Sequence, residues 1–291
     1  MGDHRQSKWA ALILDAQQPD GTWGTGFHGL AQPTNAPLTT EQALRRLHTL
    51  GFTIADEPIR RIVDTMSACL RGERKIDAYW EKGIDWAMYE PLMLAAWIRR
   101  FEPDNADALA YASRWARVVE AAFADGILNE SAWDEAYEAE FHRRERHPKP
   151  IHLSALYHTM LLPGVLSRKT EQAFVQHLLT RPDGMYYVYP KPLIHPPVAF
   201  AAKETSCWLA ALELLAEYPA AWEQLRFAAV YLQLNKLPDG QWDLGPKVND
   251  RIYFPLSDSW RTEALRQSDC TERILALLYK IEKGDCPCSA N

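Results

Sequence analysis

Only five of the 291 residues are cysteine, and no uninterrupted apolar stretch reaches the roughly 18 residues that a membrane-crossing helix needs. Cys69, Cys207, Cys270, Cys286 and Cys288 are odd in number and scattered, which argues against a disulfide framework and for a reducing compartment. The first eight residues, Met1 to Lys8, are polar, so they lack the apolar core of a signal peptide, and Gln6 stands where N-myristoylation calls for Ser or Thr. A soluble, cytoplasmic chain with no transmembrane segment is expected. An excess of positive charge is missing too: 32 Lys and Arg face 38 Asp and Glu, a net charge of −6, and the basic residues are spread along the chain, which excludes a nucleic-acid partner. There is no Gly-rich phosphate loop, no Gly-x-Ser-x-Gly elbow and no His-Glu-x-x-His. His152, His158 and His195 do not combine with cysteine or acid at a ligand spacing, so neither a metal nor a cofactor is predicted. Strand-like alternation is nearly missing, whereas apolar residues at i, i+3, i+4 and i+7 dominate, and the fold class read from this is all-α.

What the sequence does have is a turn that recurs. Gln17-Gln18-Pro19-Asp20-Gly21-Thr22-Trp23 returns as Thr180-Arg181-Pro182-Asp183-Gly184-Met185-Tyr186 and as Lys236-Leu237-Pro238-Asp239-Gly240-Gln241-Trp242, each after an apolar helical stretch. Weaker copies fall at Gly72 and at Asp125-Gly126, so that successive glycines lie 51, 54, 58 and 56 residues apart. A fixed period of about 55 residues is the signature of a repeat architecture. Helices are expected over 5–18, 38–50, 54–70, 86–101, 105–123, 150–162, 166–180, 202–217, 219–235 and 268–282, with a further candidate at 131–145. They form pairs joined by tight links such as Leu50-Gly51-Phe52, where Gly51 reads as a helix stop and Pro58 and Pro103 as helix starts.

A single hairpin cannot bury its apolar face, so successive hairpins must pack side by side, in an open solenoid or a ring. The long segments after the Asp-Gly turns (24–37, 127–149, 185–201 and 241–267) alternate with short links, which places long, aromatic-rich loops on one face and favours an α/α toroid of about five to six helical hairpins. One toroid domain over 1–284 and a disordered tail over 285–291 are expected.

Gln17-x-x-x-Gly21-x-Trp23, with Leu38-Thr39-Thr40-Glu41-Gln42-Ala43-Leu44 and Asp56-Glu57-Pro58-Ile59-Arg60-Arg61 behind it, resembles the QW-type repeat of terpenoid cyclases, and Lys236 to Trp242 is a near match with Lys in place of Gln. The resemblance implies a toroid like those of squalene cyclases and protein prenyltransferase β subunits, in which the Gln and Trp of the turns serve packing and helix-end bonding. Ser268-Asp269-Cys270-Thr271-Glu272 resembles the Asp-Cys-Thr-Ala-Glu motif of oxidosqualene cyclases. That likeness implies Asp269 as a general acid supported by Cys270, although Glu272 comes one position early and the Asp-x-Asp-Asp motif of squalene-hopene cyclases is absent.

In a toroid the chemistry belongs at the openings of the inner helices, which here carry Glu41, Glu90, Glu204 and Asp269. Helix capping accounts for such acids equally, since Thr39-x-x-Gln42 and Asp269-x-x-Glu272 have capping-box spacing. The candidate catalytic residues are Asp269, Glu204 and Glu90; the candidate substrate-binding residues are Trp86, Tyr89, His152, Tyr157, Trp208, Trp260, Cys207 and Cys270. Trp80 and the loop aromatics Tyr186, Tyr187, Tyr189, Tyr253 and Phe254 join them, either as ligand walls or as core wedges. The basic run His142 to Lys149 reads as an anion clamp or as a solvated segment. Three functions remain open: an enzyme on a hydrophobic isoprenoid, a carbohydrate-active hydrolase or lyase with paired carboxylates, and a noncatalytic toroid that binds a peptide or protein.

Overall fold

The computed structural model describes residues 4–27, 38–76, 85–143 and 156–283. His152, Trp80, the segment 144–149 and the tail 285–291 lie outside the described residues. The described chain is all-helical, with no strand: α1 (Lys8–Asp15), α2 (Thr40–Thr49), α3 (Glu57–Leu70), α4 (Trp86–Phe101), α5 (Ala106–Ala122), α6 (Glu130–Phe141), α7 (Leu156–Leu161), α8 (Arg168–Thr180), α9 (Lys203–Leu215), α10 (Arg226–Leu234) and α11 (Glu263–Lys283). None of these helices is long and apolar enough to cross a membrane.

Local chemistry sets the helix ends. Ser7, Asn105, Asn129 and Ser167 each accept a backbone N–H two or three residues into the helix they precede. At α2 the Thr39 hydroxyl accepts from the Gln42 N–H while the Gln42 side chain accepts from the Thr39 N–H, the full capping box that the spacing predicts. Gly51 is left-handed at φ 93, as a helix stop requires. Pro58 sits in the first turn of α3, but Pro103 lies in the turn before α5 rather than within it.

The structure settles one open candidate helix and departs from the expected helices in two places. The segment at 131–145 does form a helix, α6, which packs on α5 through a cluster of Trp115, Trp133, Tyr137 and Phe141. The first half of the expected helix 219–235 is instead two 3-10 turns, Pro219–Ala221 and Glu223–Leu225. Most consequentially, α11 starts at Glu263 rather than at 268, so Asp269 sits in its second turn. Neither a capping box at Asp269 nor a helix-terminus field on its carboxyl survives that shift, because both act only in the first turn.

The turns repeat as geometry as well as sequence. Gly21, Gly72, Gly126, Gly184 and Gly240 all have positive φ. The Trp23 indole N–H donates to the Ile13 carbonyl at 2.7 Å, and the Trp242 indole to the Leu232 carbonyl at the same distance. The Trp23 backbone N–H reaches the Thr40 hydroxyl at 2.9 Å and that of Trp242 the Thr271 hydroxyl at 3.0 Å. Thr271-Glu272 is therefore the structural counterpart of Thr40-Glu41, and Thr271 has a clear structural task. Gln17 spans the Gly21 and Pro58 carbonyls, joining the first turn to the start of α3; at the turn 236–242 Lys236 places its ammonium over the Trp242 ring instead. Chain ends meet as well: the His4 ring lies 2.8 Å from Glu272, the Lys8 N–H donates to Asp258 and the Trp9 indole to the Ser257 carbonyl.

The turn glycines make unequal demands. A Cβ on Gly184 would collide with the Tyr189 and Lys191 carbonyl oxygens, whereas one on Gly126 would meet nothing within 4 Å. Gly126→Ala is expected to cost only the left-handed backbone penalty of about 1–2 kcal/mol. Gly184→Ala adds a steric term, for a total of about 3 kcal/mol or more in urea unfolding.

Candidate functional site

Five helices contribute to one cavity of about 210 Å³. The lining residues recur every three or four positions: Arg45, His48 and Thr49 on α2, Trp97 and Arg100 on α4, Leu156 and Met160 on α7, Ala210, Glu213 and Leu214 on α9, and Arg273, Ala276, Leu277 and Lys280 on α11. Such spacing puts one stripe of each helix toward a common space. Glu217, just beyond α9, and Tyr253 complete the wall. On α2, α4, α9 and α11 these positions fall in the later part of the helix, so the cavity lies away from the helix openings where the sequence directed attention.

The loop 249–260 supplies one side of the cavity through Tyr253, and buried charge holds it there. Asp250 Oδ1 accepts the N–H groups of Ile252, Tyr253 and Phe254, while Oδ2 accepts from the Ser206 hydroxyl on α9. Asp269 Oδ2 accepts the N–H groups of Leu256 and Ser257, the Ser257 hydroxyl and the Trp260 indole. From α2, Arg46 donates to the Ile252 and Pro255 carbonyls. Burial lowers the Arg46 guanidinium to about 10, against the opposing pull of Asp250 and Asp269. Arg273 stacks on Tyr253 and Phe254 and forms a bidentate pair with Glu213 at 2.6 and 3.1 Å.

Charge is uneven around the wall. Arg45, Arg100, Arg273 and Lys280 face Glu213 and Glu217, four cations against two acids, a balance of +2. Glu217 Oε1 takes both Arg100 at 3.0 Å and Lys280 at 2.7 Å. Burial alone would raise the Glu217 carboxyl, but Arg100 and Lys280 outweigh it and hold it below the ordinary glutamate value. Burial, reinforced by Arg100 and Lys280, keeps His48 neutral, well below the usual histidine range. The open side is marked by Lys280, whose side chain is 41% exposed, against 6% for Arg273.

None of the described candidate catalytic and substrate-binding residues lines this cavity; of the loop aromatics, Tyr253 does. Asp269 anchors the loop 249–260, with Trp260 as one of its donors, and Cys270 beside it is buried, its thiol pushed up to about 12 chiefly by burial. Glu204 stands at the start of α9, where Lys191 at 2.8 Å and the Tyr189 hydroxyl hold its carboxyl below the ordinary value. Glu90 is in the second turn of α4, its carboxyl raised by burial against the opposing charge of Lys75. Trp208 is fully buried with its indole on the Leu193 carbonyl, and burial raises the half-buried Cys207 thiol beside Asp250.

Trp86, Tyr89 and Tyr157 do come together, as an edge-to-face series with centroids 5.5 and 5.3 Å apart. They meet a carboxylate that the capping reading of 38–44 passed over: Glu41 is fully buried and accepts from the Trp97 indole and the Tyr157 hydroxyl, both at 2.9 Å. These residues fill the space near the openings of α2, α4 and α7. Among the described residues no group of three or more His, Cys, Asp or Glu is placed to hold a metal ion. Comparison with family models, curated proteins and solved structures finds no match.

A histidine held neutral in the fold, with its pKa below the unfolded value of 6.5, binds its proton more tightly after unfolding. His48 therefore contributes stability that is complete above pH 6.5 and declines as the pH falls below it. His177, lowered to about 4 chiefly by burial, acts in the same direction. The urea midpoint of the wild type should fall from pH 6.5 toward 4, and His48→Gln should flatten that fall.

Proposed function

We propose that the protein is an α/α toroid of the terpenoid cyclase and protein prenyltransferase-like kind, and that its axial cavity receives a small apolar molecule of short isoprenoid size. The observation that carries this reading is the alternation of the helices. In chain order α2, α4, α7, α9 and α11 line the cavity while α1, α3, α5, α6, α8 and α10 do not, as expected of five hairpins that each send one helix inward. The approach of His4 to Glu272 is in keeping with a closed ring.

Size and wall narrow the ligand. An engineered cavity of about 150 Å³ holds benzene, so at the same packing 210 Å³ takes about eight or nine non-hydrogen atoms. A five-carbon prenyl group fits that limit, and a triterpene exceeds it. Trp97, Leu156, Met160, Leu214 and Leu277 give the apolar contact.

The carbohydrate reading draws less support. Glu90, Glu204 and Asp269, the carboxylates it would pair, are not in the cavity wall; of the two acids that are, Glu213 is bound by Arg273, and Glu217 is held below the ordinary glutamate value where a general acid needs its pKa raised. The cyclase reading would need Asp269 at the cavity, yet Asp269 is not in its wall and its Oδ2 is taken up by four hydrogen bonds from the loop 249–260, which suits a loop anchor. The geometry therefore supports ligand binding best, and any proton transfer at the bound molecule would fall to the neutral His48.

Dimethylallyl alcohol at saturation should raise the melting temperature by about 3 °C or more, whereas maltose and cellobiose should leave it unchanged. Ala276→Phe, which puts a ring into the cavity, should abolish the shift. A shift with the sugars and none with the alcohol would contradict the reading.

A further inference from the structure

The cavity holds three cations around one acid. Arg273 is committed: both of its terminal nitrogens and its Nε are bonded, to Glu213 and to the hydroxyl and carbonyl of Ser206, and Glu213 is used up by it. That leaves Arg45, Arg100 and Lys280 with Glu217. Glu217 meets Arg100 and Lys280 through the same oxygen, Oε1, with one donor from each. An ammonium carries three donors and a guanidinium five, so both cations keep further donors. Arg45 is less satisfied still: its Nη2 is buried and has no hydrogen-bond partner. Buried donors on a charged group cost free energy until an acceptor reaches them, and a cationic surplus in a low-dielectric wall favours an anion.

The arrangement is also polarised. Lys280 and Glu217, with side chains 41% and 31% exposed, stand at the solvent side, and Arg100 joins them through Glu217, while Leu156, Met160, Leu214 and Leu277 form the apolar part of the wall. We propose that the cavity is a site for a small amphipathic anion: a carboxylate or phosphate-monoester head bound by Lys280 and Arg100 toward the open side, with the buried Nη2 of Arg45 in the same wall as a further donor, and a short apolar body of about five atoms or fewer seated among the leucines and Trp97. This rests on the reading of the cavity as a small-ligand site, and adds the charge of the ligand and its direction of entry. The head enters last and stays next to Lys280. Glu217 remains in place, because the two cations that it bridges have donors to spare and its own charge still leaves a surplus of +2 for the head. The neutral state of His48 fits the same balance, since burial, with Arg100 and Lys280 beside it, disfavours a further positive charge there.

The test is a calorimetric titration at low salt with four probes that share one apolar body: dimethylallyl alcohol, dimethylacrylate, dimethylallyl phosphate and dimethylallylamine. One or both anions should bind about tenfold or more tightly than the alcohol, the amine should bind most weakly, and added salt should narrow the gap. The carboxylate and phosphate arms identify the preferred head. Lys280→Met, at a half-exposed position, should bring the anion-to-alcohol ratio toward one, and Arg45→Met should do so independently. Equal binding of anions and alcohol, or tightest binding of the amine, overturns the inference while leaving the small-ligand reading intact. If inorganic phosphate alone binds as tightly as dimethylallyl phosphate, the apolar half of the inference is wrong. If none of the four probes binds, the small-ligand reading fails and takes the inference with it.

Discussion

Helices that share one cavity cannot meet at its centre, and what occupies that centre governs everything else in this molecule. Near the openings of α2, α4 and α7 the space is taken by Glu41, Tyr89 and Tyr157, and Trp97 from the later part of α4 reaches Glu41 with its indole, so that these groups interlock through rings and hydrogen bonds. Between α2, α9 and α11 it is taken by a loop without regular structure. A loop can enter a core only if its backbone polar groups find partners there. Asp250 and Asp269 supply acceptors for five successive or nearly successive N–H groups, and Arg46 supplies donors for two carbonyls. The charges brought in for that purpose come from α2, α11 and the loop itself and are of opposite sign, Arg46 against Asp250 and Asp269, which helps them to remain buried. What is left unfilled is the cavity, and its surplus of positive charge is the residue of that balance.

Much of the fold was legible in the sequence because it is written in local rules. The Asp-Gly turns sit where their glycines adopt positive φ, and the capping box at Thr39 and Gln42 closes as its spacing requires. The tryptophans at 23 and 242 make the same indole bond to the carbonyl ten residues back. Where the reading slipped, tertiary contacts outweighed local signals. Nothing in Glu263 to Gln267 marks a helix start, yet α11 begins there, and the Arg266 pair with Asp243 ties this first turn to the segment after Trp242.

The site was far less legible, for a physical reason. A motif such as Asp269-Cys270-Thr271-Glu272 looks chemical because it concentrates reactive groups, but a repeat protein uses the same groups to fasten its turns: Thr271 holds Trp242 and Asp269 holds the loop 249–260. The cavity residues give no such cluster. Arg45, Arg100, Glu213 and Lys280 are single charges on four different helices, each in an otherwise ordinary amphipathic pattern, and only the packing of the helices brings them to one space. Tyr253 was visible as a loop aromatic, and periodicity had no means of telling that its loop turns inward.

The central claim is that the loop 249–260 belongs to the core, held by Asp250, Asp269 and Arg46, and so leaves the cavity where it is. Native-state hydrogen exchange at the amides of Ile252, Tyr253, Phe254, Leu256 and Ser257 measures this most directly. These amides should exchange as slowly as those in the middle of α4 and α9, through global unfolding. Exchange at the rate of an exposed loop, with α4 and α9 still protected, would contradict the account.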